Sequence, residues 1–352
     1  MRKVTGWAAH TPHTPGEGAA LAPWRFERRE PGERDVVVRI RYCGVCATDL
    51  SAVRHGEADG LPLVPGHEIV GEISAVGAAV ERFAVGDRVA VGNIVDSCRT
   101  CAACRAGREN WCHEGVTLTY GGVDRVDGSR TQGGFSSEYV VDERFTYPLP
   151  GGLDPAGVAP LMCAGITTYV PLRRWGAGPG RTVGVVGMGG LGHIALKLAH
   201  AMGAETVQFT TSPDKAAEAR RLGADDVVLS TDEARMSAQQ GRCDLILDTV
   251  GAPHALEPYL SALAIDGTLC VVGIPEEDLR LSPFSLIVGA KNLAGAGSGG
   301  TGETQEMLDF CAEHGITAET EVVPADAVNT SLDRLARNDV RYRFVLDLGA
   351  GD

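Results

Sequence analysis

The 352-residue chain has no run of 18 or more apolar residues, the length at which a stretch reads as membrane-spanning. Its opening, MRKVTGWAAHTPHTPG, lacks the apolar core that directs secretion, so the expectation is a cytoplasmic protein. Positive charge is the minority sign. The 32 Lys and Arg stand against 46 Asp and Glu, for a formal charge of −14. That balance argues against a nucleic-acid binder or a peripheral membrane protein, both of which need a basic face to meet phosphates. A local basic pocket for one phosphate remains compatible with it. Internal repeats, coiled-coil heptads and low-complexity tails are also missing.

What is present is an ordinary globular composition, 44% hydrophobic and 22% charged, with 46 glycines. That glycine share is nearly twice the usual value of about 7%, which implies many turns and close backbone approaches. The length favours two domains. A chain of this size buries roughly 75% of its unfolded surface and needs no cross-links for stability. The first 150 or so residues read as β-rich, with short β-branched runs such as Val36–Ile40, Ile69–Ile73 and Arg88–Val91 between glycine and proline turns. From about residue 155 strands alternate with helices, as in a parallel βαβ sheet. Strands are expected at Val183–Val186, Thr206–Thr210, Val227–Leu229, Leu245–Leu247 and Leu269–Val272, and helices at Leu191–Met202 and Ala216–Leu222, each stopped by a glycine. The glycine-rich stretch Ala294–Gly300 interrupts this pattern; a helix near Glu303–His314 and a strand Arg343–Leu346 follow.

The ten cysteines carry more information. Cys98, Cys101, Cys104 and Cys112 lie within 15 residues, too tight for a disulfide framework in a large chain without a secretion signal. Four thiolates at this spacing can wrap one tetrahedral Zn²⁺ with no open position, a site that holds a loop and does no chemistry. A second set is dispersed: Cys46, His67 with Glu68, and Cys163. Each alone reads more readily as core than as ligand. Together they offer Cys, His and Cys plus a spare carboxylate. Three protein ligands leave a position on a catalytic zinc for water or substrate oxygen, which Glu68 can occupy in the resting state.

Gly187-Met188-Gly189-Gly190-Leu191-Gly192 fits G-x-G-x-x-G, follows an expected strand and opens an expected helix. Such glycines let the backbone approach a pyrophosphate at the helix N-terminus; a tight turn with no ligand is the alternative. An NAD-binding chain places an acidic residue about 20 residues further on, at the end of the second strand. Here Thr211, Ser212 and Lys215 stand there, with Asp214 among them. Two hydroxyls and a lysine suit a 2′-phosphate and hence NADP(H), although the same residues can serve only to cap the next helix.

With these motifs in place, the sequence resembles the zinc-dependent medium-chain dehydrogenases, in particular the cinnamyl-alcohol-dehydrogenase-like aldehyde reductases. The resemblance runs from about Glu30 to Leu346. It is carried by Tyr42-Cys43-Gly44-Val45-Cys46, Val64-Pro65-Gly66-His67-Glu68-Ile69-Val70-Gly71, Gln132-Gly133-Gly134-Phe135, Cys163-Ala164-Gly165-Ile166-Thr167-Thr168-Tyr169 and Tyr342-Arg343-Phe344-Val345. Cys2His is also the catalytic zinc set of alcohol dehydrogenase itself. The resemblance implies an α/β fold class: a GroES-like β-rich catalytic domain over 1–153 with a zinc loop at 98–112, a Rossmann doubly wound parallel sheet over 154–292, and a return to the catalytic domain over 293–352. It implies a homodimer acting on a small aldehyde or alcohol, with two Zn²⁺ and NADP(H). By position, Cys46, His67 and Cys163 correspond to the catalytic ligands and Glu68 to the exchanging carboxylate. Thr48 corresponds to the hydroxyl that handles the alcohol proton, Asp49 to the partner of His67, Thr167 to a nicotinamide contact and Arg343 to a pyrophosphate contact.

Three departures stand out. Ala47 replaces a histidine usual after the first ligand. Ser51 replaces the histidine that relays the proton to solvent. The segment Val53–Leu63 is one residue shorter and lacks a pocket tryptophan, and Ala296-Gly297-Ser298 is smaller than usual. A water can complete the relay at Ser51, or the change can mark a reductase of iminium or conjugated double bonds on the same fold. A non-catalytic zinc and nucleotide binder is the third reading, against which the intact ligand set argues.

Overall fold

The computed structural model describes residues 1–12, 18, 20–56, 60–275 and 277–349. The expected segment Val53–Leu63 therefore lies partly outside the described residues. Among the described residues no single helix is long and apolar enough to cross a membrane. The chain divides into two compact units, Met1–Cys163 with Gly299–Asp352, and Ala164–Ser298.

The first unit is built on the strand Asp35–Val45, whose valines and isoleucine are almost wholly buried. It is antiparallel to Ile69–Val76, Glu138–Asp142 and Arg343–Asp347. The sheet runs in the order Thr320–Pro324, Arg343–Asp347, Asp35–Val45, Ile69–Val76, Arg88–Val91, Thr146–Pro148, with Glu138–Asp142 branching from the long strand. Among the described residues of this sheet, only Thr320–Pro324 and Arg343–Asp347 pair in parallel. Side chains alternate across such strands, so Val36, Val38, Ile40, Ile69, Ile73, Phe135 and Phe344 meet in one core. An antiparallel pair of strands, Arg2–Ala9 and Leu21–Arg28, stands beside it. The register Cys43↔Ile69 brings the end of one strand beside the start of its neighbour. Gly44 then donates to the Glu68 carbonyl at 2.9 Å. The helix α1 (Ala47–His55) follows directly on the long strand, with Cys46 at its N-cap.

The second unit carries a six-stranded, wholly parallel sheet in the order Asp226–Leu229, Glu205–Thr210, Thr182–Val186, Cys243–Asp248, Leu263–Val271, Asn292–Gly295. The order doubles back about the first strand in sequence, Thr182–Val186, which is where doubly wound sheets bind ligands. Val186, Val207, Phe209, Ile246, Leu260 and Leu269 fill its core.

The α/β class, a β-rich unit plus a doubly wound one, is as the sequence implied. The compact units divide at 163/164 and 298/299, a few residues beyond the expected divisions at 153/154 and 292/293. Pro155–Met162 belongs with the first unit, because Gly157 packs against Thr317 and its carbonyl accepts from the Ala318 N–H at 2.9 Å. Asn292–Gly295 is the sixth strand of the second unit, so that unit extends to Ser298. The strand expected at Leu269–Val272 begins earlier, at Leu263.

Phe344 is 1% exposed and has the Arg334 guanidinium over its ring at 4.7 Å. Phe344→Ala should cost about 3–5 kcal/mol, read as a lowered urea midpoint. An unchanged midpoint would show that this core tolerates the cavity.

Candidate metal centres and nucleotide site

The loop 98–112 folds as its spacing demands. Cys101 caps the short helix Ala102–Arg105, and its sulfur accepts from the N–H groups of Cys104 at 3.5 Å and His113 at 3.4 Å. Those two donors pull its thiol down to about 6, the direction a metal ligand needs. Cys98 Sγ accepts from Cys101 N at 3.3 Å and Cys112 Sγ from Cys98 N at 3.4 Å. The four sulfurs lie within 4.8 Å of one another, and Cys98 Sγ and Cys104 Sγ are 3.9 Å apart. Zn–S bonds near 2.3 Å imply a tetrahedral edge of about 3.8 Å, so the four fit a closed zinc site.

The dispersed set also converges. Ligand atoms of Cys46, His67, Glu68 and Cys163 all lie within 4.8 Å of one another, and Cys46 Sγ and Cys163 Sγ are 4.0 Å apart. Asp49 organises the group. Its Oδ2 accepts from Cys46 N at 2.8 Å, and its Oδ1 accepts from Gly66 N at 3.0 Å and faces His67 Nδ1 at 3.1 Å. A carboxylate only accepts, so Nδ1 carries the proton and Nε2 is left as the ligand atom. Asp49 also sits in the first turn of α1, where the helix favours negative charge.

Glu68 is fully buried, and burial pushes its carboxyl up to about 8 even though the Arg343 guanidinium draws it down. Arg343 Nη2 donates to Glu68 Oε1, while Oε2 has no partner among the described residues. Burial presses the His67 imidazolium down, but Asp49 and the Cys46 sulfur outweigh it and hold it well above its ordinary value. The Cys163 thiol beside it draws Cys46 down, and Cys163 rises in turn. Two sulfurs, an imidazole nitrogen and an orphaned carboxylate oxygen make a donor set that needs a cation. The set fits a catalytic zinc held by Cys46, His67 and Cys163.

Thr48 Oγ1 lies 3.6 Å from Cys46 Sγ on the exposed side of α1. Ser51 is one turn on, and its hydroxyl reaches His55 Nδ1 at 3.4 Å. Sequence reasoning missed His55, though its i,i+4 spacing from Ser51 was the available signal. It missed Tyr120 too, whose ring centroid is 5.8 Å from that of His67 and whose hydroxyl is buried without a partner among the described residues. No local motif marks that position. Arg343, expected at a pyrophosphate, is buried against Glu68.

In the second unit the glycines divide the work. Gly187 has φ +85°, a backbone conformation that glycine adopts at no steric cost. A Cβ on Gly192 would lie 2.2 Å from the Gly187 carbonyl, whereas a Cβ on Gly189 would meet nothing within 4 Å. That open side, ahead of helix Gly192–Ala201, is where a pyrophosphate fits. Gly190 and Leu191 complete the turn, with Leu191 at the N-cap. Thr211 and Ser212 follow the strand Glu205–Thr210, and Lys215 Nζ donates to the Met188 carbonyl at 3.0 Å. The ammonium is thus held at the rim of the glycine turn. Thr167 Oγ1 accepts from Ser298 N at 3.4 Å.

A parallel sheet with a glycine turn, plus a unit bearing one closed and one open zinc set, defines a zinc-dependent dehydrogenase. The chain belongs to the zinc-dependent medium-chain alcohol dehydrogenases, and is thus an oxidoreductase. The family described as "Alcohol dehydrogenase GroES-like domain" matches residues 32–151 and "Zinc-binding dehydrogenase" matches 190–313. The chain is 50% identical over 351 residues to a "Probable mannitol dehydrogenase" of Fragaria ananassa, covering 99% of this chain and 96% of that one. It is 51% identical over 331 residues to "Aldehyde reductase YahK" of Escherichia coli (strain K12), covering 93% and 94%. Among solved structures it is similar to a cinnamyl alcohol dehydrogenase from Sorghum bicolor (TM-score 0.94, 44% identity, 100% and 99% covered). It is also similar to the enzyme of the same class from Helicobacter pylori complexed with NADP(H) (TM-score 0.91, 34% identity, 99% of each covered).

Elemental analysis of the native protein should find two zinc ions per chain. Cys104→Ser should lose one and lower the melting temperature; Cys163→Ser should lose the other and abolish turnover while the fold persists. A single zinc in the native protein would contradict the two-site assignment.

Proposed function

We infer that the protein is an NADP(H)-dependent zinc alcohol dehydrogenase that works mainly as an aldehyde reductase. The observation that carries this reading is the Cys46, His67, Cys163 set with Glu68 behind it and the Thr48 hydroxyl beside it. When bound, zinc supplies a Lewis acid for the carbonyl and reduced nicotinamide supplies hydride. The Thr48 hydroxyl gives its proton to the nascent alcohol oxygen. Asp49 keeps His67 in the tautomer that leaves Nε2 as a ligand atom. Glu68, paired with Arg343, supplies a carboxylate that can exchange with other oxygen ligands. Gly187, Gly189, Gly190, Leu191 and Gly192 bind the pyrophosphate, Thr167 meets the nicotinamide, and Thr211, Ser212 and Lys215 receive the 2′-phosphate.

The reading extends to a homodimer in the cytoplasm, on the strength of the family resemblance; light scattering on the purified protein tests the dimer. Ser51, standing where a histidine is usual, is the reason to consider reduction of an iminium or conjugated double bond. The imidazole of His55 on the Ser51 hydroxyl weakens that reason. A panel of aldehydes, cyclic imines and enals with NADPH decides between them, and turnover confined to imines or enals would overturn the first reading.

Cofactor choice gives a sharper test. Hydrogen bonds to a charged phosphate are each worth about 1.5–3 kcal/mol, so kcat/KM should favour NADPH over NADH by about 10- to 100-fold. Ser212→Asp should reverse the order by repelling the phosphate. Equal constants for the two cofactors in the native protein would refute the assignment of Thr211, Ser212 and Lys215.

A further inference from the structure

We propose that His254 is a positioning residue for the cofactor: as a cation clasped to Asp248, it holds the loop 249–254 in place as one wall of the nucleotide crevice. The proposal deepens the NADP(H) reading above and rests on it. Asp248 ends the strand Cys243–Asp248 and stands in register with Val186, the last residue before the glycine turn. The strand order doubles back at this pair of strands, and the crevice beyond such strand ends is where a doubly wound sheet takes its ligand.

The loop starts firmly and then loses its ties. Thr249 donates to the Val186 carbonyl, through its N–H at 3.1 Å and its hydroxyl at 2.7 Å. A Cβ on Gly187 would lie 2.9 Å from Val250 Cγ2, so the loop lies directly against the glycine turn. Beyond Val250 the chain runs Gly251-Ala252-Pro253, all exposed. Among the described residues no backbone–backbone hydrogen bond engages 251–255. A segment without such bonds keeps much of its conformational freedom unless side chains hold it.

His254 is the side chain that holds it. Its Nδ1 lies 2.9 Å from the Ala252 carbonyl and its Nε2 3.1 Å from Asp248 Oδ2. Both partners are acceptors, so neither neutral tautomer serves both, and the ring carries two protons. Asp248 is 1% exposed, and its Oδ1 accepts from Val250 N at 3.1 Å. Its Oδ2 stands off the line of a hydrogen bond to Nε2 and faces it as a charge. A carboxylate buried in this way calls for a cation. Asp248 holds the imidazolium above its ordinary value, against the burial that lowers it. The ring also packs edge-on against Tyr259 at 5.9 Å, and Tyr259 against Phe209 at 5.6 Å. The clasp thus ties the loop to the strand that leads into Thr211 and Ser212.

The surrounding groups leave the charge on His254. Burial pushes the Tyr259 phenol up, away from neutrality. Glu257, on the same helix, is exposed, and Asp232 is engaged by Arg235 at 3.3 Å. His193, at the start of the helix Gly192–Ala201, turns Nδ1 onto the Gly189 carbonyl at 2.9 Å. Glu205, Asp226 and Asp244 stand at the starts of parallel strands, at the edge of the sheet opposite His254. Below its raised value the ring is charged and the clasp closed. As pH rises through that value the charge is lost and the clasp with it, so cofactor affinity falls as pH rises above neutral.

The test measures the Kd of NADPH by its fluorescence on the zinc-loaded full chain, from about pH 6 to about pH 9, a range that spans the imidazole titration. In native protein Kd should rise toward the alkaline end. The 2′-phosphate gains charge near pH 6, which acts in the opposite direction and is common to all variants. A loop held only one time in ten raises Kd about 10-fold. His254→Gln should therefore weaken binding by about that factor near pH 6 and remove the alkaline loss. Asp248→Asn, which keeps an acceptor for Val250 N but not the charge, should do the same. His254→Lys, charged up to about pH 10, should restore most of the affinity and keep it at the alkaline end. In turnover the loss should fall on KM for NADPH and leave kcat at saturating cofactor native. By reciprocity, saturation with NADPH should raise the pKa of His254 in a ring NMR titration. Native-like affinity and pH dependence in His254→Gln would overturn the clasp and leave the NADP(H) reading intact. Equal losses in His254→Gln and His254→Lys would assign the ring to packing and overturn it as well. A native protein that binds NADH as tightly as NADPH, with the same His254→Gln loss on both, would sink the 2′-phosphate assignment and uphold the clasp.

Discussion

Asp49 is the point on which the metal site depends. One buried carboxylate stops the Cys46 N–H, stops the Gly66 N–H and fixes the His67 ring. Each contact joins a different piece of chain: the start of α1, the turn before His67, and the ligand itself. A charge with no exposed surface is tolerable only with such a full set of donors. The same contacts make the helix terminus a place where a negative charge is favoured. Remove the carboxylate and two backbone donors are orphaned while the ligand ring is freed, so the loss reaches packing and metal binding together.

Glu68 sets a second constraint, of shape. A Cβ on Gly44 would lie 1.9 Å from Glu68 Oε2 and 3.0 Å from Glu68 Cβ. The glycine between Cys43 and Val45 is therefore a steric requirement of the carboxylate across the sheet. Arg343 reaches the same carboxylate from the neighbouring strand, so three adjacent strands converge on one acid. This is how a β-sheet built around an apolar cluster can present a polar cluster at its end.

How much of this was legible beforehand depends on how local each signal is. The four cysteines of 98–112 were readable because a closed ligand set with short spacing needs little tertiary context. Cys46, His67 and Cys163 are 21 and 96 residues apart in turn, so periodicity and spacing alone left each ambiguous, and the resemblance supplied the grouping. The parallel strands of the second unit were plain from their apolar runs. The unit boundaries were not, since Pro155 announces a helix but only packing decides which unit that helix joins. Tyr120 and His55 escaped for opposite reasons. Tyr120 comes near His67 only through the fold of its loop, whereas His55 required setting the phase of α1 against a residue that had been read as a loss.

The 4.0 Å between Cys46 Sγ and Cys163 Sγ has a consequence for how the protein matures. Two free thiols need to close by only about 2 Å to reach bonding distance. Any oxidant that accepts two electrons and two protons from them seals the cavity before metal arrives. The quartet around Cys98 and Cys104, at 3.9 Å, is open to the same fate. Assembly is therefore a race between metal delivery and thiol oxidation. Metal binding is favoured where the surroundings keep these thiols reduced.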